Sequence, residues 1–231
     1  FGSAFLLIEL SLNSFSPIQI AFFRVFFASI FLLIYALLMG YKFNFIKKNF
    51  ILLFILGLSG TTIPFFLIGW AQTTISSSET GILIGFMPLF TIIGSHYFFK
   101  YENLSFNKIL GFILGLCGLF ILLINNNEEV NIFGNIYAKA AVIISAFFYA
   151  VNALLVKKIS NVNVIPLSAV VMIFSSLQLL LMSFTGKEIY YLNEEILISS
   201  IIAISILSLL STAFATVLYY KIIHDYGPNF L

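Results

Sequence analysis

Polar and aromatic side chains recur at helical spacing inside stretches of otherwise apolar sequence. Ser205, Ser208, Thr212, Thr216 and Tyr219 follow one another at intervals of three and four, which puts them on one face of a helix. Ser145, Tyr149 and Asn152 repeat that spacing, and Thr62, Gly69, Trp70 and Thr73 make a third set. Hydroxyl, amide and aromatic groups so arranged can hold a small molecule by hydrogen bonds and stacking, as in a cavity with apolar walls and a few placed polar groups. They can equally tie helices together. Bulky polar groups at membrane depth need water or a partner, which favours a cavity for Tyr149, Asn152 and Tyr219. For Ser208, Thr212 and Thr62 both readings stand, and Trp70 could instead anchor at the membrane interface.

Ionisable groups in lipid cost about 2.5–3.5 kcal/mol each on insertion scales, so Glu9, Arg24 and Glu79 are functional candidates by default. Glu9 and Arg24 fall towards the outer ends of adjacent helices and are expected to form a structural ion pair or reach the headgroups. Glu79 begins a helix, where the dipole favours negative charge, and Lys139, one turn into another helix, is expected to snorkel. Gly81 and Gly85, with Pro88 after them, read as a surface for close helix contact; Gly111, Gly115 and Gly118 read as a groove for a neighbouring helix. Pro64 frees a backbone carbonyl, with a packing kink as the simpler outcome. Neither a cluster of metal ligands nor a catalytic motif occurs, and Asp225 is the only aspartate, so neither enzyme, cofactor nor metal is expected. Cys117 stands alone, which excludes an intrachain disulfide.

The elements that must position these groups are set by the solvent. Of the 231 residues 61% are hydrophobic and only 9% charged, with a mean hydropathy of +1.10; soluble domains carry roughly 25% charged residues. So few charges cannot face water all round. The chain is all-α, a polytopic transmembrane bundle, because segments of about 20 apolar residues can satisfy their backbone in hydrocarbon only as helices. Spans are predicted at Phe1–Leu12, Pro17–Gly40, Phe50–Thr73, Thr80–Phe99, Lys108–Ile124, Gly134–Ile159, Ile165–Gly186 and Ile196–His224. Lys42, Lys47, Lys48, Lys100, Lys108, Lys157 and Lys158 fill the even loops, whereas Glu128, Glu129, Glu188, Glu194 and Glu195 lie in odd ones. The even loops and the N-terminus are therefore expected in the cytoplasm. A net charge of +2 without a basic patch argues against nucleic acid as a partner. Expected partners are a small-molecule substrate and the lipid bilayer, with a homodimer as a further candidate assembly.

An internal repeat organises these spans. Gly2-Ser3-Ala4-Phe5 is echoed by Ile144-Ser145-Ala146-Phe147, Ser16-Pro17-Ile18 by Ile165-Pro166-Leu167, and Gly60-Thr61-Thr62 by Ser211-Thr212-Ala213, in the same order. Residues 1–127 then form a first repeat of five helices and residues 128–231 the first three helices of a second. The expected whole is an inverted five-plus-five repeat, here truncated to about eight helices, with helix one lacking about half its length and helices nine and ten missing. Repeats of five passes enter the membrane from opposite sides, and such proteins hold substrate near the midplane where the halves meet.

The motifs Gly2-Ser3-Ala4-Phe5, Arg24 after Pro17, Gly60-Thr61-Thr62-Ile63-Pro64-Phe65 with Trp70-Ala71, Pro88-Leu89-Phe90-Thr91, Glu102 with Gly111 and Gly118, and Ser211-Thr212-Ala213 running to Tyr219-Tyr220 and Gly227-Pro228 are similar, in order and spacing, to those of a known family. The chain resembles the EamA-type permeases of the drug/metabolite transporter superfamily over its whole length. That resemblance implies a ten-helix bacterial inner-membrane transporter with cytoplasmic termini, often an exporter of amino acids or related metabolites. It also implies a cavity lined mainly by helices one, three, four, six, eight and nine, which adds Ser3 to the cavity candidates. Glu9 departs from the pattern, since many relatives carry a basic or neutral residue there.

Overall fold

The computed structural model describes residues 2–98, 110, 111, 113–115, 117, 118, 121, 135–159, 161–185 and 196–230. Every regular element among them is helical. Helix α1 spans Gly2–Leu12 and α2 Pro17–Leu38. The start of α2 is written in its first residues: Ser16 Oγ accepts from Gln19 N, Gln19 Oε1 accepts from Ser16 N, and Pro17 takes the first helical position, where its missing N–H costs nothing. Helix α3 runs from Phe45 to Ala71. It starts five residues before the predicted Phe50, so Lys47 and Lys48 ride on a helical turn that bends at Asn49 (φ −116°, ψ 17°).

Helix α4 comprises Ser77–Ile84 and Met87–Phe98, interrupted at Gly85 and Phe86. Residues 110, 111, 113–115, 117, 118 and 121 are helical and are called α5. Helix α6 spans Ile136–Ile159 with a 3₁₀ last turn at Lys157–Ile159, α7 spans Val164–Thr185, and α8 spans Ile198–Tyr226. Among the described residues six helices (α2, α3, α4, α6, α7 and α8) are long and apolar enough to cross a membrane, while α1 is a shorter apolar helix.

Helices α3 and α8 each contain a π-helical segment, Leu58–Thr62 and Leu209–Phe214. These contain the echoed triplets Gly60-Thr61-Thr62 and Ser211-Thr212-Ala213. In α3 the wider turn is closed by Ile63 N donating to Leu58 O, and Pro64 follows without an N–H to give the ladder. Packing follows the same correspondence: α1 lies on α8 as α6 lies on α3, and α2 packs on α7. Relabelling one as six, two as seven and three as eight leaves this pattern unchanged.

The centre is built from α2, α3, α7 and α8, where Val25, Ala28, Leu32, Phe65, Ala169, Met172, Leu179 and Ala213 form one buried cluster. Small residues at Ala28, Ala169 and Ala213 let the backbones approach, which is how helices associate when lipid is as apolar as their side chains. Between α4 and α6 the close approach is at Gly94, where a Cβ would lie 2.5 Å from Leu154 Cδ1.

Candidate functional site: a cavity with placed polar groups

A cavity of about 190 Å³ lies among α1, α2, α3, α4, α6 and α8. At roughly 30 Å³ per water it has room for about six. Its walls are mostly apolar, with Ile8, Phe65, Ile68 and Met87 contributing, and its polar groups come from Arg24, Thr61, Tyr149, Asn152, Thr216, Tyr219 and Tyr220. Ile84 and Met87 bring the interrupted part of α4 to its edge, so irregular backbone occurs where a cavity accommodates it.

Arg24 is 3% exposed, eight residues into α2. Its Nε donates to Thr212 Oγ1 at 3.1 Å, and its guanidinium carbon stands 3.6 Å from the centroid of the Phe65 ring. The aromatic face offsets part of the burial of a cation. Thr212, in turn, donates to Leu207 O, five residues back, inside the π segment of α8. Asn152 approaches α3 near the other π segment, but through the backbone: its Nδ2 donates to Leu56 O at 3.0 Å and lies 3.3 Å from Ser59 Oγ. Gly60 makes that approach feasible, because a Cβ there would fall 2.5 Å from Asn152 Nδ2. Tyr149 stands edge-on to Phe65, and its carbonyl accepts from the Tyr219 hydroxyl at 3.2 Å.

The predicted candidates therefore divide. Arg24, Tyr149, Asn152 and Tyr219 line the cavity. Thr212 stands behind the wall, positioning Arg24. Thr62 is buried between α3 and α7, donating to Gln178 Oε1 at 2.6 Å, while Gln178 Nε2 donates to Phe54 O and Thr61 Oγ1 meets Ser175 Oγ. That is a polar seam between helices. Ser208 is buried and turns back on Ile204 O at 2.6 Å. Ser3 and Trp70 are exposed on the outside of the bundle. The polar stripe of α8 is not continuous either: Ser205 is exposed and bonds Ile201 O, whereas Ser208, Thr212 and Thr216 are buried.

The expected Glu9–Arg24 pair does not form. Glu9 is exposed, with Oε2 accepting from Ser77 N at 3.3 Å, and Arg24 points inward. Glu79 lies in the first turn of α4, where the dipole favours it, with its backbone N–H donating to the capping Ser76 Oγ, but its carboxylate also pairs with Lys139 at 3.4 Å, so Lys139 bridges α6 to α4. Gly81 packs against Phe5, 3.6 Å from where its Cβ would be. Gly85 does not continue that surface, because it caps the first segment of α4 at the interruption. Pro88 lies beside Pro228 and Asn229. Gly111, Gly115 and Gly118 are helical and exposed, and no described side chain fills the groove they make.

Sequence reasoning passed over Gln178 and Phe65. A lone amide in an apolar helix was the available signal for Gln178; Phe65 lay in a recognisable motif but had no visible cation to face. Among the described residues no three His, Cys, Asp or Glu side chains converge as metal ligands would.

Comparison with known proteins agrees with this architecture. A solved crystal structure of another protein superimposes with a TM-score of 0.74 at 15% identity, over 97% of this chain and 78% of that one, a likeness of fold. An uncharacterized transporter of Archaeoglobus fulgidus is 28% identical over 209 residues, which cover 90% of this chain and 71% of its own. Uncharacterized transporters of Haemophilus influenzae and Bacillus subtilis, the latter called YdfC, are 34% and 29% identical over 155 and 121 residues. The chain spans less than half the length of those two, 49% and 39%. The model of the EamA-like transporter family matches residues 1–124. More than half of the sequence thus follows that pattern in a bundle built to cross lipid, and the chain belongs to the EamA-like transporter family.

Proposed function

We propose that this protein is a secondary transporter that moves small metabolites, amino acids and related compounds, outward across the bacterial inner membrane by alternating access. The observation that carries the reading is the cavity itself, walled by Arg24, Tyr149, Asn152 and Tyr219 from helices of both sequence halves. A membrane scaffold gains nothing from keeping a cation, an amide and two phenols around open space. In this reading the cytoplasmic N-terminus begins a five-plus-five inverted repeat, and the halves rock about the α2–α7 contact to open the cavity to either side. Residues Tyr149 and Tyr219 contact the substrate.

Purified protein reconstituted into liposomes is expected to exchange labelled amino acids across the bilayer. Tyr149→Ala and Tyr219→Ala are expected to lower that flux by more than they lower the yield of folded protein. Absence of flux for a broad panel of amino acids and related metabolites would refute this substrate class, and equal loss of flux and folded protein would assign both tyrosines to packing.

A further inference from the structure

Within the proposed transport role, and resting on it, we infer that Arg24 is the receptor for a carboxylate on the transported molecule, so that the cavity selects compact monoanions or zwitterions with an apolar body. Among the described residues Arg24 is the only charged side chain in the cavity wall. A guanidinium is always protonated and carries five donors in a planar fork. Among the described residues it makes one hydrogen bond, from Nε to Thr212, and presents one face to Phe65. The terminal nitrogens, the part of the fork that matches a carboxylate, are left without a described protein acceptor at the cavity.

Among the described residues the carboxylates of α1 and α4, two of the helices that line the cavity, are engaged elsewhere: Glu9 accepts from Ser77 N, and Glu79 pairs with Lys139. A cation retained purely for structure looks different in this same protein. Lys157 directs its ammonium at the carbonyls of Ile223 and His224, at 3.4 and 3.2 Å, closing the end of α8. Arg24 has no such acceptors among the described residues, although a buried unpaired charge is among the costliest arrangements in a membrane.

The surroundings restrict what the anion can be. One guanidinium neutralises one negative charge, and a second charge on the ligand would meet Phe65, Ile8 and Ile68 without a counter-ion. The remaining wall, with Tyr149 and Met87, suits an apolar or aromatic body. The predicted pose therefore has the carboxylate on the terminal nitrogens of Arg24 and the body directed towards α4 and α6.

Matched ligands test this whatever the natural substrate is. Thermal unfolding of the detergent-purified chain is followed against 4-methylpentanoate, leucine, 4-methylpentanamide and 3-methylbutylamine. The two carboxylates are expected to stabilise the wild-type protein, with the amide and the amine at least about tenfold weaker, as loss of a buried charge partner requires. Arg24→Gln should abolish the difference between acid and amide, whereas Arg24→Lys should retain part of it, keeping the charge but not the fork. An amide or amine that equals the acids, no stabilisation by either acid, or an undiminished acid preference in Arg24→Gln would overturn the assignment. The wild-type comparison stands even if Arg24→Gln does not fold. Liposome flux of the amide or amine without the acids would sink the receptor assignment and leave the transporter reading intact; no flux of any compound, with acids still binding, would do the reverse.

Discussion

Replacing Gly60 by alanine places a methyl group where Asn152 already is. The added Cβ would stand 2.5 Å from Asn152 Nδ2 and 2.7 Å from its Cγ, against an ordinary contact distance starting at 3.4 Å. The amide must retreat by about 0.9 Å, and a retreat of that size breaks hydrogen bonds of 3.0 and 3.3 Å to Leu56 O and Ser59 Oγ. Overpacking costs about 1–3 kcal/mol, and intramembrane hydrogen bonds average about 0.6 kcal/mol each, so Gly60→Ala should destabilise by about 2–4 kcal/mol. Asn152→Ala loses the same two bonds and should cost about 1–2 kcal/mol. The double variant should cost less than the sum by about 1–2 kcal/mol, because the new methyl occupies space that the amide has vacated. Reversible unfolding in mixed detergent micelles measures all four species. Additivity within about 0.5 kcal/mol would refute the close approach of α3 and α6 on which the cavity wall depends.

Two further perturbations probe the frame around the cavity. Thr62→Val removes the donor to Gln178 Oε1 and should lower stability by about 0.6–1.7 kcal/mol in the same unfolding assay, while Gln178→Leu in that background should recover part of the loss; no coupling between the two would dissolve the α3–α7 seam. Lys157→Met removes the ammonium from the carbonyls of Ile223 and His224 and should speed amide exchange in the last turn of α8 while leaving α2 unchanged; identical exchange in both proteins would contradict that cap.

How much of the structure is legible in the sequence depends on which physical constraint wrote it. Helix positions are legible because hydrocarbon forces every backbone group into a helix, so apolar length and turn residues such as Ser16-Pro17 mark α2 to within two residues of its end. The echoed motifs are legible because small residues recur along the sequence in the same order, Gly60-Thr61-Thr62 and Ser211-Thr212-Ala213 among them. The π segments are not, because an i→i+5 turn has no composition of its own; here two residues distant in sequence engage them, Arg24 through the Thr212 hydroxyl and Asn152 through the Leu56 carbonyl. Side-chain azimuth is equally hidden. Glu9 and Arg24 sit on consecutive helices, yet one faces Ser77 and the other Thr212, since direction is set by neighbouring helices. Gly81 and Gly85 look alike in sequence, and only the interruption of α4 separates a packing glycine from a capping one.

The central claim is that the cavity opens in turn to the two sides of the membrane. A single cysteine at Thr216, on the cavity wall, in a Cys117→Ser background reports this directly when a membrane-impermeant thiol reagent is applied to one face of sealed vesicles and then, in a separate preparation, to the other. Labelling from both faces, with substrate changing the two rates in opposite directions, is the predicted result. A thiol reached from neither face, or from one face only whatever ligand is present, would contradict alternating access.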